Sequence, residues 1–444
     1  MQRITLWILL LFFFGVSCQK DYLSKAGIVE HIEENELFLR SVKNLTNIQI
    51  HDIFAPPVAS RIYMYPCIAA YEAICSNYPG NESFANRLHG LTPLDVTVDT
   101  ALVSRELAAI YVFNEVGKQL IFSEEKMEDW QLQVDSLVGT WQVNPKVVEA
   151  SKAYAMEVKQ HILAWAKEDN YNQTRTMPKF SVSDDPSRWK PTPPAYMEGI
   201  EPHWNKIRTL VIDSAGQFRP PPPPAFDMTE GSDFYNLVKE VYDVGVNLDE
   251  EQRVIASFWD CNPFVMHQTG HIMFATKKIT PGGHWMGITG VACRKVDADL
   301  MTTIKAHSMV SIALFDAFIS CWDEKYRSSL IRPETVINEK MDPDWLPTLQ
   351  TPPFPEHTSG HSVISTASAV VLTAIFGDNF EFLDVVEVDY GLPQRNFNSF
   401  LEASQEAAIS RLYGGIHYRP AIEDGVIQGR KIGEFIVNDL LSKD

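Results

Sequence analysis

The sequence predicts an all-α protein built of helical bundles. Apolar residues recur at i, i+3 and i+4 through most of the chain, the spacing that gives a helix one buried face. No convincing run alternates apolar and polar residues as a half-buried strand does. The hydrophobic fraction of 45% against 21% charged residues, over 444 positions, belongs to a folded chain with enough apolar material for two or three cores. A net charge of −19 argues against nucleic acid as a partner, because such binding rests on basic patches and counterion release.

The chain begins with Arg3 and an apolar run from Ile4 to Phe14, then Gly15-Val16-Ser17-Cys18. This run is too short for a permanent membrane span and has the anatomy of an export signal. Small residues before a cysteine resemble a bacterial lipoprotein signal, cut before Cys18 and lipidated there. Residues 1–18 are then the signal, and the protein is exported, periplasmic or at the cell surface, with a lipid anchor as its sole membrane contact. A secretory signal with an incidental cysteine is the alternative. Cys67, Cys75, Cys261, Cys293 and Cys321 remain. Being odd in number they cannot all pair, and buried free thiols are expected.

Helices are expected in residues 19–225 at Val58–Ser76, with Pro66 kinking or interrupting it, and then at Asp99–Phe122, Glu124–Thr140 and Pro145–Glu168. Asp169–Ala225 is rich in Pro, Ser, Asn and Thr and contains the proline run Pro220–Pro224, which excludes helix and central strand. Trp204, Phe218 and Phe226 flank that run, so an ordered loop clamped on the domain surface is expected. Residues 226–444 form the second region, with helices at Ser232–Val244, Asp249–Trp259, Arg294–Glu324, Ser359–Phe376, Phe400–Tyr413 and Gly425–Leu441.

Three stretches carry the chemistry: KYRSSLIRP from Lys325, HTSGH from His357 and SRLYGGIH from Ser410. Lys325 and Arg332 are seven apart, close to two helical turns, which puts both on one helix face with Pro333 stopping the helix. Ser359-Gly360-His361 opens a helix, where unpaired N–H groups and the dipole favour an anion. Gly360 lets the backbone approach a ligand, Ser359 adds a hydroxyl, and His361 can move a proton. Arg411 lies near a helix end, and the Gly414-Gly415 break frees His417 to turn back towards it. Each piece alone fits a surface cation, a plain cap or a satisfied histidine.

Together and in this order they resemble the superfamily of type 2 phosphatidic acid phosphatases and vanadium-dependent haloperoxidases, with its pattern K-x6-RP, PSGH and SR-x5-H. Matching positions are Lys325, Arg332, Pro333, Ser359, Gly360, His361, Ser410, Arg411 and His417. The resemblance implies a C-terminal helical bundle of the chloroperoxidase type. It implies vanadate held by Lys325, Arg332, Ser359, Gly360, Arg411 and His417, with His417 as the ligand to the metal and His361 as acid–base. Phosphate could occupy the same site. Trp322, Phe354 and His357 are expected to form the halide or substrate pocket, by similarity to the fungal chloroperoxidases. Hydrogen peroxide with a halide or small organic molecule would be the substrates. A phosphatase working through a phosphohistidine is one alternative, and an anion-binding lipoprotein without turnover is another. Two positions depart from the pattern. Thr358 replaces its proline, and Ala421 stands where an aspartate usually orients the histidine. Glu423, Asp424 or a backbone carbonyl are the substitutes the sequence offers.

Other constellations are weaker. His267 and His271 are four apart, as two ligands on one helix face would be, but Gly270 weakens such a helix and a structural role is preferred. Gly282–Met286 reads as a loop with an exposed histidine at the pocket rim. Asp260 is a candidate to orient Arg411.

Overall fold

The computed structural model describes residues 33–269, 272–275 and 277–441. Residues 1–18 with Cys18, and His271, lie outside them. The N-terminal region contributes α1 (Glu34–Asp52), α2 (Pro56–Ile74), α3 (Arg105–Lys118), α4 (Glu124–Thr140), α5 (Pro145–Ala166) and the single turn α6 (Tyr171–Thr174). There follow α7 (Asp233–Val246), α8 (Glu250–Phe258), α9 (Pro281–Lys295), α10 (Leu300–Ser328), α11 (Pro333–Lys340), α12 (Gly360–Phe376), α13 (Phe400–Tyr413) and α14 (Arg419–Leu440). Among the described residues, strand is confined to two antiparallel ribbons: β1 (Met266–Thr269) with β2 (Ile272–Ala275), and β3 (Phe382–Asp384) with β4 (Arg395–Phe397). The all-α expectation holds.

Side-chain caps start most of the long helices. Ser104, Asp249, Asp299, Ser359 and Ser399 each accept a backbone N–H from the first turn of the helix they precede. Pro66 does not interrupt α2, and every residue of that helix is buried. Packing against α3 and α10 on several sides outweighs the roughly 3 kcal/mol an interior proline costs. One apolar core runs from Leu37 to Leu440 and draws on residues either side of Ala225. The five described cysteines are all free and buried.

The Pro-rich segment is ordered. Trp189 and Trp204 are buried. The buried Asp316 carboxylate, on α10, accepts the N–H groups of Leu210, Val211 and Ile212 at 2.8, 2.8 and 3.0 Å. Phe218 packs on Phe435 and Phe226 on Phe234. This segment also grips the region that carries the motifs. Ile200 N–H donates to the Pro353 carbonyl, and Trp189 N–H to that of Ser329.

Close packing of α14 on α12 sets where the α12 N-terminus lies. Gly425, Gly429 and Gly433 recur every four residues along α14. A Cβ on Gly429 would stand 2.1 Å from the Val363 carbonyl oxygen and one on Gly433 2.9 Å from that of Ala367. The backbones touch because these side chains are missing.

Candidate active site

His417 is the centre of the site. Helix α13 ends at Tyr413 and the chain turns through Gly414 and Gly415, the latter at φ +73°. Leu349 presses on Gly414, and Trp345 and Pro347 on Gly415, closely enough that a Cβ at either glycine would clash. The turn brings His417 inward to 3% exposure. Its Nδ1 is 2.9 Å from Glu356 Oε1, which also accepts the Tyr418 N–H at 2.8 Å. With Nδ1 donating to that carboxylate, Nε2 is left unprotonated. Nε2 is 3.1 Å from Arg332 Nη1. Burial, then the charges of Arg332, Lys325 and Arg411, holds the imidazole well below its usual range, so it stays neutral.

Glu356 therefore fills the place that Ala421 leaves vacant. Neither suggested acid does so: Glu423 is 3.9 Å from Arg419, and Asp424 is 3.8 Å from His357. The Ala421 carbonyl instead accepts the Ser359 N–H at 2.9 Å, tying α14 to the cap of α12. Thr358, the other departure, donates to Gln428 Oε1 at 2.7 Å, and Gln428 donates to Ser320 on α10.

Three cations converge without a matching set of acids. Lys325, fully buried in the last turn of α10, donates to the Pro355 and Glu356 carbonyls at 3.0 Å each. Burial is the main cause that brings its ammonium down to about 7. Arg332 donates from Nε to the Phe354 carbonyl at 2.9 Å and from Nη1 to that of Ile416 at 2.7 Å. Arg411 donates from Nη1 to the Trp259 carbonyl at 2.8 Å. Arg332 Nη2, Arg411 Nε and His361 Nε2 are buried with no protein partner. Of the acids nearby, Glu356 is engaged by His417, and burial pushes its carboxyl up to about 7. Asp260 is engaged by Lys278. The two guanidinium N–H groups, buried without a hydrogen bond, fit a small oxyanion.

Lys325 and Arg332 do not share a helix face. Ser329 adopts a left-handed conformation at φ 47° and ends α10, while Arg332 caps α11 with Pro333 in its first turn. The link between the helices is held by Ser187 and Trp189 on one side and by the Glu356 N–H bonded to the Leu330 carbonyl on the other. Pro333 thus starts a helix, because its fixed φ and missing N–H suit that position.

The pocket wall itself comprises Trp322, Phe354, Gly360, His361, Arg411 and His417, with Pro56, Cys261, Asn262, Pro263, Pro281, Phe318, Pro352 and Ile416. Trp322 and Phe354 pack with centroids 5.0 Å apart, and the Phe354 ring lies 5.2 Å from both Lys325 Nζ and the Arg332 guanidinium carbon. Ser359 caps α12, its Oγ accepting the Ser362 N–H at 3.3 Å and keeping its own hydrogen to donate. His361 is half-buried, and burial and the Arg411 charge hold its imidazole well below the usual range. Ser410 spends its hydroxyl on the Ala407 carbonyl.

Several expectations fail here. His357 does not line the pocket: it is buried facing Asp424, while Glu356 beside it turns to His417. Asp260 has no hydrogen bond to Arg411, although its charge acts on that guanidinium. Gly282–Met286 is no exposed loop but the first turns of α9, capped by Thr280, with His284 completely buried. His267 lies in β1, not on a helix face. A second cavity of about 260 Å³, lined by Leu39, Lys43, Gly287, Arg294 and His307, is a poorer candidate. Its cations are already paired, Lys43 with Asp389 and Arg294 with Glu36.

Residues 305–442 match the family model described as the VCPO second helical-bundle domain. None of the curated proteins compared matches. Among solved structures, a bacterial vanadium-dependent iodoperoxidase is 55% identical with a TM-score of 0.87, the alignment covering 93% of this chain and 99% of that one. A holo-type bacterial vanadium-dependent chloroperoxidase is 15% identical, TM-score 0.64, over 88% of this chain and 93% of that one, and shares the fold. An apo-type structure of such a chloroperoxidase is 14% identical with a TM-score of 0.64, over 87% and 95%. On its likeness to the iodoperoxidase along nearly the whole length of both chains, this chain belongs to the vanadium-dependent haloperoxidase family.

Proposed function

We propose that this protein is a vanadate-dependent haloperoxidase that oxidises halide with hydrogen peroxide. The observation that carries the reading is the set of unpartnered buried donors around an unprotonated His417 Nε2. Bound vanadate supplies a Lewis-acidic centre at which peroxide becomes an oxidant for halide. His417 offers its Nε2 lone pair to that centre. Arg332, Arg411 and Lys325, with the Ser359 hydroxyl and the Gly360 N–H, balance the charge of its oxygens. His361, neutral and with Nε2 free, is placed to take a proton from peroxide and return it. Trp322 and Phe354 offer an apolar wall to a weakly hydrated halide. Iodide is the halide we favour, supported by the 55% identity to an iodoperoxidase.

The test is reconstitution of purified protein with orthovanadate, followed by triiodide formation from iodide and peroxide. Failure to oxidise iodide or bromide, together with ready hydrolysis of p-nitrophenyl phosphate, would assign the site to phosphoryl transfer instead. The reading without turnover rested on Ala421, and Glu356 now supplies the missing partner of His417. The N-terminal stretch up to Ser17 we assign to an export signal cut before Cys18, the lipidated residue, supported by the apolar run and the small residues before the cysteine. Cys18→Ser should then abolish palmitate labelling; persistent labelling would refute it.

A further inference from the structure

A second cluster of ligating side chains lies behind the pocket wall. Cys261 Sγ, His284 Nδ1 and Glu387 Oε1, all buried, lie within 4.8 Å of one another. The separations are 3.5 Å for Cys261 to His284, 3.1 Å for His284 to Glu387 and 3.6 Å for Cys261 to Glu387. With metal–sulfur bonds of about 2.3 Å and metal–nitrogen or metal–oxygen bonds of about 2.0–2.1 Å, tetrahedral ligands stand roughly 3.3–3.6 Å apart. The cluster has nearly that spacing already.

A second observation concerns the far side of the imidazole. His284 Nε2 is 2.8 Å from Asp384 Oδ2, in full burial. Asp384 is itself fixed, its Oδ1 accepting the Val386 N–H at 2.9 Å. A carboxylate on the nitrogen that does not bind metal is the usual way a ligating histidine is oriented. The Trp259 ring stacks on His284, with centroids 4.7 Å apart and planes at 22°, which holds the imidazole plane.

We propose that Cys261, His284 and Glu387 form a zinc site, with Asp384 as the outer partner of His284 and water in the fourth position. Thiolate, imidazole and carboxylate together suit zinc better than magnesium or calcium. Ligation takes Cys261 as the thiolate and His284 with Nδ1 unprotonated, and the displaced protons leave to solvent. The site would clamp the turn from Trp259 to Cys261. Trp259 gives its carbonyl to Arg411, and Cys261 forms part of the pocket wall.

The experiment exposes full-length protein to zinc alone, dialyses it, and measures metal per chain by mass spectrometry, counting vanadium separately. About one zinc per chain is expected in the wild type, falling at least tenfold in folded Cys261→Ala and Glu387→Gln. Cobalt in place of zinc should give a thiolate-to-cobalt charge-transfer band. Wild type that retains no zinc, variants that retain as much as wild type, or cobalt protein without that band would each overturn the proposal. The cobalt spectrum of the wild type decides the matter even where a variant fails to fold.

Discussion

Glu356→Gln tests how His417 is held. Glutamine keeps the shape and one acceptor, so the Tyr418 N–H and His417 Nδ1 can still be bonded, but the negative charge is gone. A hydrogen bond to a charged partner contributes about 1.5–3 kcal/mol and a neutral one about 0.5–1.5 kcal/mol. The exchange should weaken the Nδ1 bond by about 1–1.5 kcal/mol, or roughly tenfold in vanadate affinity. An opposing effect exists, since deleting an anion near Arg332 makes the pocket more positive. That guanidinium is partly satisfied by carbonyls, whereas the Nδ1 bond acts directly on the ligating ring, so the loss should win. Burial sets the Glu356 carboxyl at about 7. The two proteins should therefore differ at about pH 8 and converge at about pH 6, where the wild-type acid is protonated. The assay is titration of the vanadate-free protein with vanadate at both pH values, with thermal melting as a control for folding. Equal or tighter binding by the variant at the higher pH would refute the reasoning.

Further outcomes follow from the same geometry. The wild-type ammonium of Lys325 is charged below its depressed value of about 7 and neutral above it, whereas an arginine there stays charged, so wild-type vanadate affinity should fall relative to that of Lys325→Arg as pH rises through that value, by up to about tenfold per pH unit; parallel titrations of the two proteins would count against a role for Lys325. His361→Ala should keep bound vanadate, measured by metal analysis, while turnover drops about 10²–10⁴-fold; loss of vanadate itself would show that His361 holds the anion rather than the proton. Gly429→Ala should destabilise the fold by about 1–3 kcal/mol or more, because its Cβ meets the Val363 backbone and not a movable side chain; an unchanged urea midpoint would mean that α12 and α14 separate easily.

Much of the fold could be read from local pattern. The α12 start follows from Ser359 as cap, and the α13 stop from Gly414-Gly415. Reading failed where tertiary contacts overrode local preference. Gly282-Gly283 suggests a loop, yet Thr280 caps a helix there, and a Cβ on Gly283 would stand 2.8 Å from Ile279. Pro66 suggests a break, yet complete burial keeps α2 whole. The seven-residue spacing of Lys325 and Arg332 suggests one helix. A serine in a left-handed conformation divides them, and nothing local marks Ser329 for that role.

The sequence by itself determined the inventory of the candidate site and its order along the chain: Lys325, Arg332, the capped glycine Gly360, His361, Arg411 and His417. These sit in short motifs whose turns and caps are local. It did not disclose Glu356. An acid between Pro355 and His357 carries no sign that it will be buried against a histidine 61 positions later. Only the tertiary structure decided that, by packing α14 on α12, turning the chain at Gly415, and threading the 354–358 segment between Lys325 and Arg332. The cluster of Cys261, His284, Asp384 and Glu387 was hidden for the same reason: its members are up to 126 residues apart. Side-chain chemistry is written residue by residue, but which buried group meets which depends on how the helices close on one another.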